Sequence, residues 1–177
     1  GFPAIDLISE SNFAKPKEIE KEFNLDLNMP IILFTQHSVT TEFDKSKDQL
    51  VPSLNAIEKL ASEGIQVILT YPNNDAGGRK IINELENFKK KNIKNTQVHI
   101  SLGRYFYHGI LGLSLDKNKR IACAGNSSSG IKETPAFNCP TLNIGSRQDS
   151  RLRGKNVLDS NYDEKMIYEK LKKCLFD

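Results

Sequence analysis

The feature that most constrains this chain is the alternation of short apolar runs with helix-period segments. "MPIILFTQ" (29–36) is continuously apolar behind a proline, the pattern of a buried strand. From Lys45 to Glu63, Leu50, Leu54, Ile57 and Leu60 recur at spacings of three and four, which predicts a helix that Gly64 ends. "IQVILTY" (65–71) reads as a second strand, and Arg79 to Lys91 as a helix with Ile81, Ile82, Leu85 and Phe88 on its apolar side. Further strands are expected at "TQVHI" (96–100), "RIACA" (120–124) and "PTLNIG" (140–145), with helices over 105–115 and 128–137. "NVLD" (156–159) is a candidate sixth strand, and 163–176 reads as a closing helix. Strands apolar on both faces and separated by helices call for an α/β fold with a mainly parallel sheet covered on both sides. At 177 residues and 38% apolar, the chain suffices for one such domain.

In such a sheet ligands bind at the carboxyl ends of the strands. The polar clusters of this sequence fall there: "TQHSVTTE", "PNNDAGG", "SLGR", "GNSSSG" and "GSRQ" follow the first five strands in turn. Between residues 101 and 155 nine Lys/Arg face three Asp/Glu, although the net charge of the chain is only +3. A locally basic half rich in Ser and Gly suits a small anion; a solvated basic face is the plainer alternative. Nothing in the overall charge asks for nucleic acid.

"GNSSSGIKE" holds the most specific chemistry. Gly125 and Gly130 let backbone approach a ligand, Ser127 and Ser128 add hydroxyl donors, and a helix start offers unpaired N–H groups to phosphate. Glu133, one turn on, suits the paired hydroxyls of a ribose. On spacing alone, a serine cap with Glu133 completing a capping box explains the same residues. Neither a Gly-Lys-Ser/Thr phosphate loop nor a G-x-G-x-x-G fingerprint is present. His37, at the mouth of the first strand, can donate to a pyrophosphate or serve as an acid near neutral pH, or else hold structure. His99 reads as part of a strand and His108 as a helix residue without a partner. The three histidines and three cysteines have no metal-ligand spacing, and no cofactor is expected. Cys123 and Cys139 read as small buried hydrophobes, and unpaired thiols suggest a reducing cytoplasm. No run of about 18 apolar residues and no signal peptide is visible. The start at Gly1 suggests a piece of a longer protein.

"TQHSVTTE", "PNNDAGG" and above all "GNSSSGIKETPAFNCPTLNIGSRQDSRLRGKNVL" resemble the UDP-N-acetylglucosamine 2-epimerase family, in its hydrolysing branch that feeds sialic-acid-type nonulosonate synthesis. The resemblance runs over nearly the whole chain and covers the second half of such an enzyme. It implies that 1–177 is the Rossmann-like, three-layer C-terminal domain of a two-domain GT-B enzyme, with 1–25 as hinge or linker. "GFPAID" matches the point where such chains leave the first domain. Position by position, His37 matches a histidine that contacts UDP and takes part in catalysis, and Asn73 a residue near the nucleotide. Leu102 matches the residue whose backbone lies beside the uracil, and Ser127 and Ser128 the serines of the diphosphate. Glu133 matches the ribose-binding glutamate and Arg147 an arginine at the nucleotide. Ser38 stands where the family usually has proline, which implies a looser histidine loop.

The chemistry so implied is anti elimination of UDP from a UDP-N-acetylhexosamine to a glycal, then addition of water to give the 2-epimeric free sugar. The catalytic acids belong to the absent first domain, so this piece alone is expected to be inactive. The full-length protein is expected to be a homo-oligomer without membrane or nucleic-acid partners. A non-hydrolysing epimerase, a GT-B glycosyltransferase domain and a plain UDP-binding module are the rival readings.

Overall fold

The computed structural model describes residues 12–177; the expected domain exit at "GFPAID" lies outside them. Six strands form one sheet: β1 (Ile31–Thr35), β2 (Gln66–Thr70), β3 (Thr96–His99), β4 (Ile121–Gly125), β5 (Thr141–Ile144) and β6 (Val157–Ser160). All pairings are parallel and the order is β3-β2-β1-β4-β5-β6. This is the doubly wound Rossmann order, in which the chain reverses direction between β1 and β4 and opens a crevice above their carboxyl ends. The α/β, parallel-sheet expectation holds, and "NVLD" is a true edge strand.

Side chains of the central strands divide strictly by parity. Ile32, Phe34, Val67, Leu69, Ala122 and Ala124 enter one core; Ile31, Leu33, Ile68, Ile121 and Cys123 enter the other. Successive residues of a strand point to opposite faces, so a run that is apolar throughout needs a helical layer on each side. The first core is closed by α2 (Ser46–Ser62), α3 (Gly78–Lys90) and α6 (Glu164–Phe176). The second is closed by α1 (Pro16–Phe23), α4 (Gly103–Gly112) and the segment that follows β4.

Two helical segments differ from the sequence reading. Residues 16–23, inside the stretch read as hinge or linker, form α1, whose Ile19 and Phe23 are buried. Pro16 at its first turn loses no intrahelical bond, because the N–H it lacks would have no acceptor there. The single helix expected over 128–137 is instead α5 (Ser129–Lys132) followed by a 3-10 turn, Thr134–Phe137. Pro135 has no N–H to offer Ile131, so the α-helical ladder stops and the Thr134 hydroxyl bonds back to Gly130 O at 2.7 Å.

Candidate functional site

At the end of β4 the backbone turns sharply at Gly125, φ +118°. A Cβ there would stand 1.9 Å from Thr35 O, so only glycine lets β4 close on β1 at this point. The turn brings Asn126 over β1, where its N–H donates to Thr35 O. Its side chain then reads the next residues of β1 as a strand would. Asn126 Oδ1 accepts from His37 N–H at 2.6 Å, and Asn126 Nδ2 donates to His37 O at 2.8 Å.

From this clasp a closed ring of contacts runs through four loops. Asn73 N–H donates to His37 Nδ1 at 2.9 Å, and Asn73 Nδ2 donates to Asp75 Oδ2 at 2.7 Å. Asp75 Oδ2 lies 3.7 Å from Arg147 Nη2, and Arg147 Nη1 donates to Asn126 O at 3.1 Å, an acceptor shared with Gln148 Nε2. Asn73 therefore holds the histidine directly, and Arg147 only through Asn126 and Asp75. Burial, reinforced by the charge of Arg147, pushes the His37 imidazole down to about 4. It is neutral at pH 7, and because Nδ1 accepts from Asn73, its proton sits on Nε2. The site thus presents a neutral N–H donor at neutral pH, which fits the donor among the roles that the sequence allows and not a charged imidazolium acid.

Beside the histidine lies a cleft of about 340 Å³, lined by His37, Leu102, Ser127 and Glu133 among the sequence-predicted residues. Ser128, Asn73 and Arg147 stand outside its wall. Leu102 caps α4 at one end, next to Ile100, which is 77% exposed. Ser127, Ser128 and Ser129 leave their backbone N–H groups without a hydrogen bond among the described residues. With α5 only one turn long, these three amides matter more than any helix dipole.

The capping-box alternative for Glu133 is not realised. No side chain caps α5, and Glu133 turns the other way, with Oε2 2.7 Å from His108 Nε2. His108, read from sequence as partnerless, is 2% exposed and sits on the α4 face toward the cleft. Its neighbour Tyr107 places its hydroxyl 2.6 Å from Ser129 Oγ, itself 3.0 Å from Ser127 Oγ. Burial holds the Tyr107 phenol well above its usual range, so it stays protonated. The histidine loop is also less loose than its Ser38 suggested: Ser38 is buried and its hydroxyl donates to Ala76 O. Among the described residues no group of three or more His, Cys, Asp or Glu is placed to hold a metal ion, and no helix is long and apolar enough to cross a membrane.

The sequence that builds these loops matches a known family. A family model described as UDP-N-acetylglucosamine 2-epimerase fits residues 1–177. The chain belongs to that family. It is 34% identical over 172 residues to the GDP/UDP-N,N'-diacetylbacillosamine 2-epimerase (hydrolyzing) of Campylobacter jejuni, covering 97% of this chain and 43% of that protein. It is 29% identical to the UDP-N,N'-diacetylbacillosamine 2-epimerase (hydrolyzing) of Legionella pneumophila, covering 99% of this chain and 44% of that protein. Identity is also 29% to a UDP-N-acetylglucosamine 2-epimerase of Neisseria meningitidis, over 98% of this chain and 43% of that protein. The chain thus spans less than half the length of these epimerases.

Proposed function

We propose that the cleft is the UDP seat of a hydrolysing 2-epimerase and that this chain is its C-terminal, GT-B-type domain. The carrying observation is the convergence of His37, Ser127, Glu133 and Leu102 on one cleft above β1 and β4. The unbonded backbone amides of Ser127 and Ser128, with the Ser127 hydroxyl beside them in the cleft, suit a diphosphate. Glu133 suits the ribose diol, the Leu102 backbone the uracil, and the Nε2–H of His37 the β-phosphate. Asn73 acts by holding His37, and Arg147 through Asn126 and Asp75.

In the reaction so read, a base removes the C2 proton and the C1–O bond breaks with its electron pair going to the β-phosphate oxygen. UDP leaves and a glycal remains. Water then adds, hydrogen to C2 on the opposite face and hydroxyl to C1, giving the 2-epimeric free sugar. A neutral donor such as His37 stabilises the charge that grows on the departing phosphate. The base and the sugar contacts come from the remainder of the full-length protein, which we read as a homo-oligomer. The three free thiols fit a reducing, cytoplasmic setting.

Two of the relatives are named as hydrolyzing enzymes, which supports that branch. Product analysis of the full-length protein tests it, with UDP-N-acetylglucosamine and its 2,4-diacetamido-6-deoxy counterpart as substrates. The proposal expects UDP together with a free mannosamine-type sugar from one of them. An epimeric UDP-sugar as sole product would assign a non-hydrolysing enzyme, and transfer of sugar only to an added acceptor a glycosyltransferase.

A further inference from the structure

Glu133 is singled out by the sequence, but nothing in the sequence says what holds its carboxylate. On the second face of the sheet, α4 presents two consecutive residues to the loop after β4: Tyr107 to Ser129 and His108 to Glu133. An ionised carboxylate only accepts hydrogen bonds, so at 2.7 Å His108 Nε2 is the donor and Glu133 Oε2 the acceptor. His108 is 2% exposed, and the Phe137 ring packs 5.6 Å from its own, so its orientation is fixed by packing as well as by the bond. Among the described residues no donor reaches Glu133 Oε1, although Glu133 lines the cleft.

We propose that His108 is the positioning residue of the hydroxyl-binding subsite, holding one oxygen of Glu133 so that the other is left for a ligand diol. The proposal rests on the reading of Glu133 as the ribose acceptor. Without His108 a flexible three-torsion side chain at the cleft wall has to be ordered when the ligand binds, and the ligand pays for it in affinity. With His108 that ordering is complete beforehand. The subsite therefore selects for a ligand with a vicinal diol, a ribonucleotide over its dideoxy analogue, through a residue that does not itself need to touch the sugar.

Calorimetric titration of the full-length protein with UDP and with 2′,3′-dideoxy-UDP decides this. Glu133→Ala is expected to weaken UDP by about 30-fold and to leave the dideoxy ligand within about twofold. His108→Leu should weaken UDP by about five- to tenfold, again sparing the dideoxy ligand, and should add nothing in the Glu133→Ala background. His108→Gln, which returns an N–H donor, should recover UDP binding to within about threefold of the wild type. Should His108→Leu fail to fold, His108→Asn, whose shorter amide stops short of Glu133, carries the same comparison. Equal losses for both ligands in a His108 variant, or a loss that persists without Glu133, overturn the positioning role and leave His108 as packing. If Glu133→Ala weakens both ligands alike, the ribose reading falls and this proposal with it.

Discussion

Asn126 and His37, on adjacent strands' loops, are joined by two hydrogen bonds between one carboxamide and one residue's backbone. A carboxamide has a donor and an acceptor side by side, so it alone among small side chains can bond an N–H and a C=O of the same residue. Asn126 is 1% exposed, so any group left unpaired there stays dry. Asn126→Asp keeps the bond to His37 N–H but sets a carboxylate oxygen against His37 O. Urea unfolding should place it about 1–3 kcal/mol below wild type, with Asn126→Ala in the same range. Wild-type stability in Asn126→Asp would mean that the clasp is incidental.

The depressed pKa of His37 makes a sign prediction. Its imidazole binds a proton near 6.5 when unfolded and near 4 when folded. Between those values the unfolded chain holds more protons, so stability falls as pH is lowered from about 6.5 to 4 and then levels off. The full effect is on the order of 3 kcal/mol. His37→Gln removes this pH dependence, so the stability of the wild type relative to the variant should fall by about 3 kcal/mol between pH 7 and pH 4, as the buried imidazole is forced to take up its proton. Parallel curves from pH 7 to pH 4 would refute the burial of this histidine as its neutral form.

If the proposed reaction is right, His37→Ala in the full-length protein should lower turnover about a hundredfold or more while leaving UDP affinity within about tenfold, because on that reading its donor meets charge that develops only in the transition state. Ser127→Ala should raise KM more than it lowers kcat. Steady-state kinetics with product-inhibition constants for UDP measure both. Near-normal turnover in His37→Ala would leave the histidine a purely structural role.

Ser38→Pro, the change toward the family's more usual residue, is expected to be unfavourable here. The buried hydroxyl bonded to Ala76 O ties the loop after β1 to the loop after β2. Proline stiffens the chain but takes that bond away, and a loss of about 1–2 kcal/mol should appear in thermal unfolding. A gain in stability would mean that chain stiffness outweighs the tether.

The central strands were legible because burial on both faces leaves no polar residue to interrupt an apolar run, as "IILF" and "VIL" illustrate. The loops at their carboxyl ends are legible because each apolar run stops abruptly at a cluster of Gly, Ser, Thr, Asn or His. α1 escapes such a reading because eight residues, five of them acids and lysines around Ile19 and Phe23, are too short a run to show a period. His108 and Glu133 lie 25 residues apart on different elements, so no local spacing pairs them. Asn126 stands inside "GNSSSG", but its partners are backbone groups of Thr35 and His37, and backbone leaves no mark in a sequence.

Ala14 lies against Gly109 so tightly that a Cβ on the glycine would come within 2.7 Å of the alanine Cβ, and Ala14 N–H donates to Tyr105 O. Phe13 packs edge-on to Phe137 at 5.5 Å. Residues 13 and 14 are therefore packed against α4, the helix that carries Tyr107 to Ser129 and His108 to Glu133. Tyr105 and Gly109, which Ala14 meets, bracket Tyr107 and His108, so the chain at 13–14 clamps a stretch of α4 that builds the cleft wall.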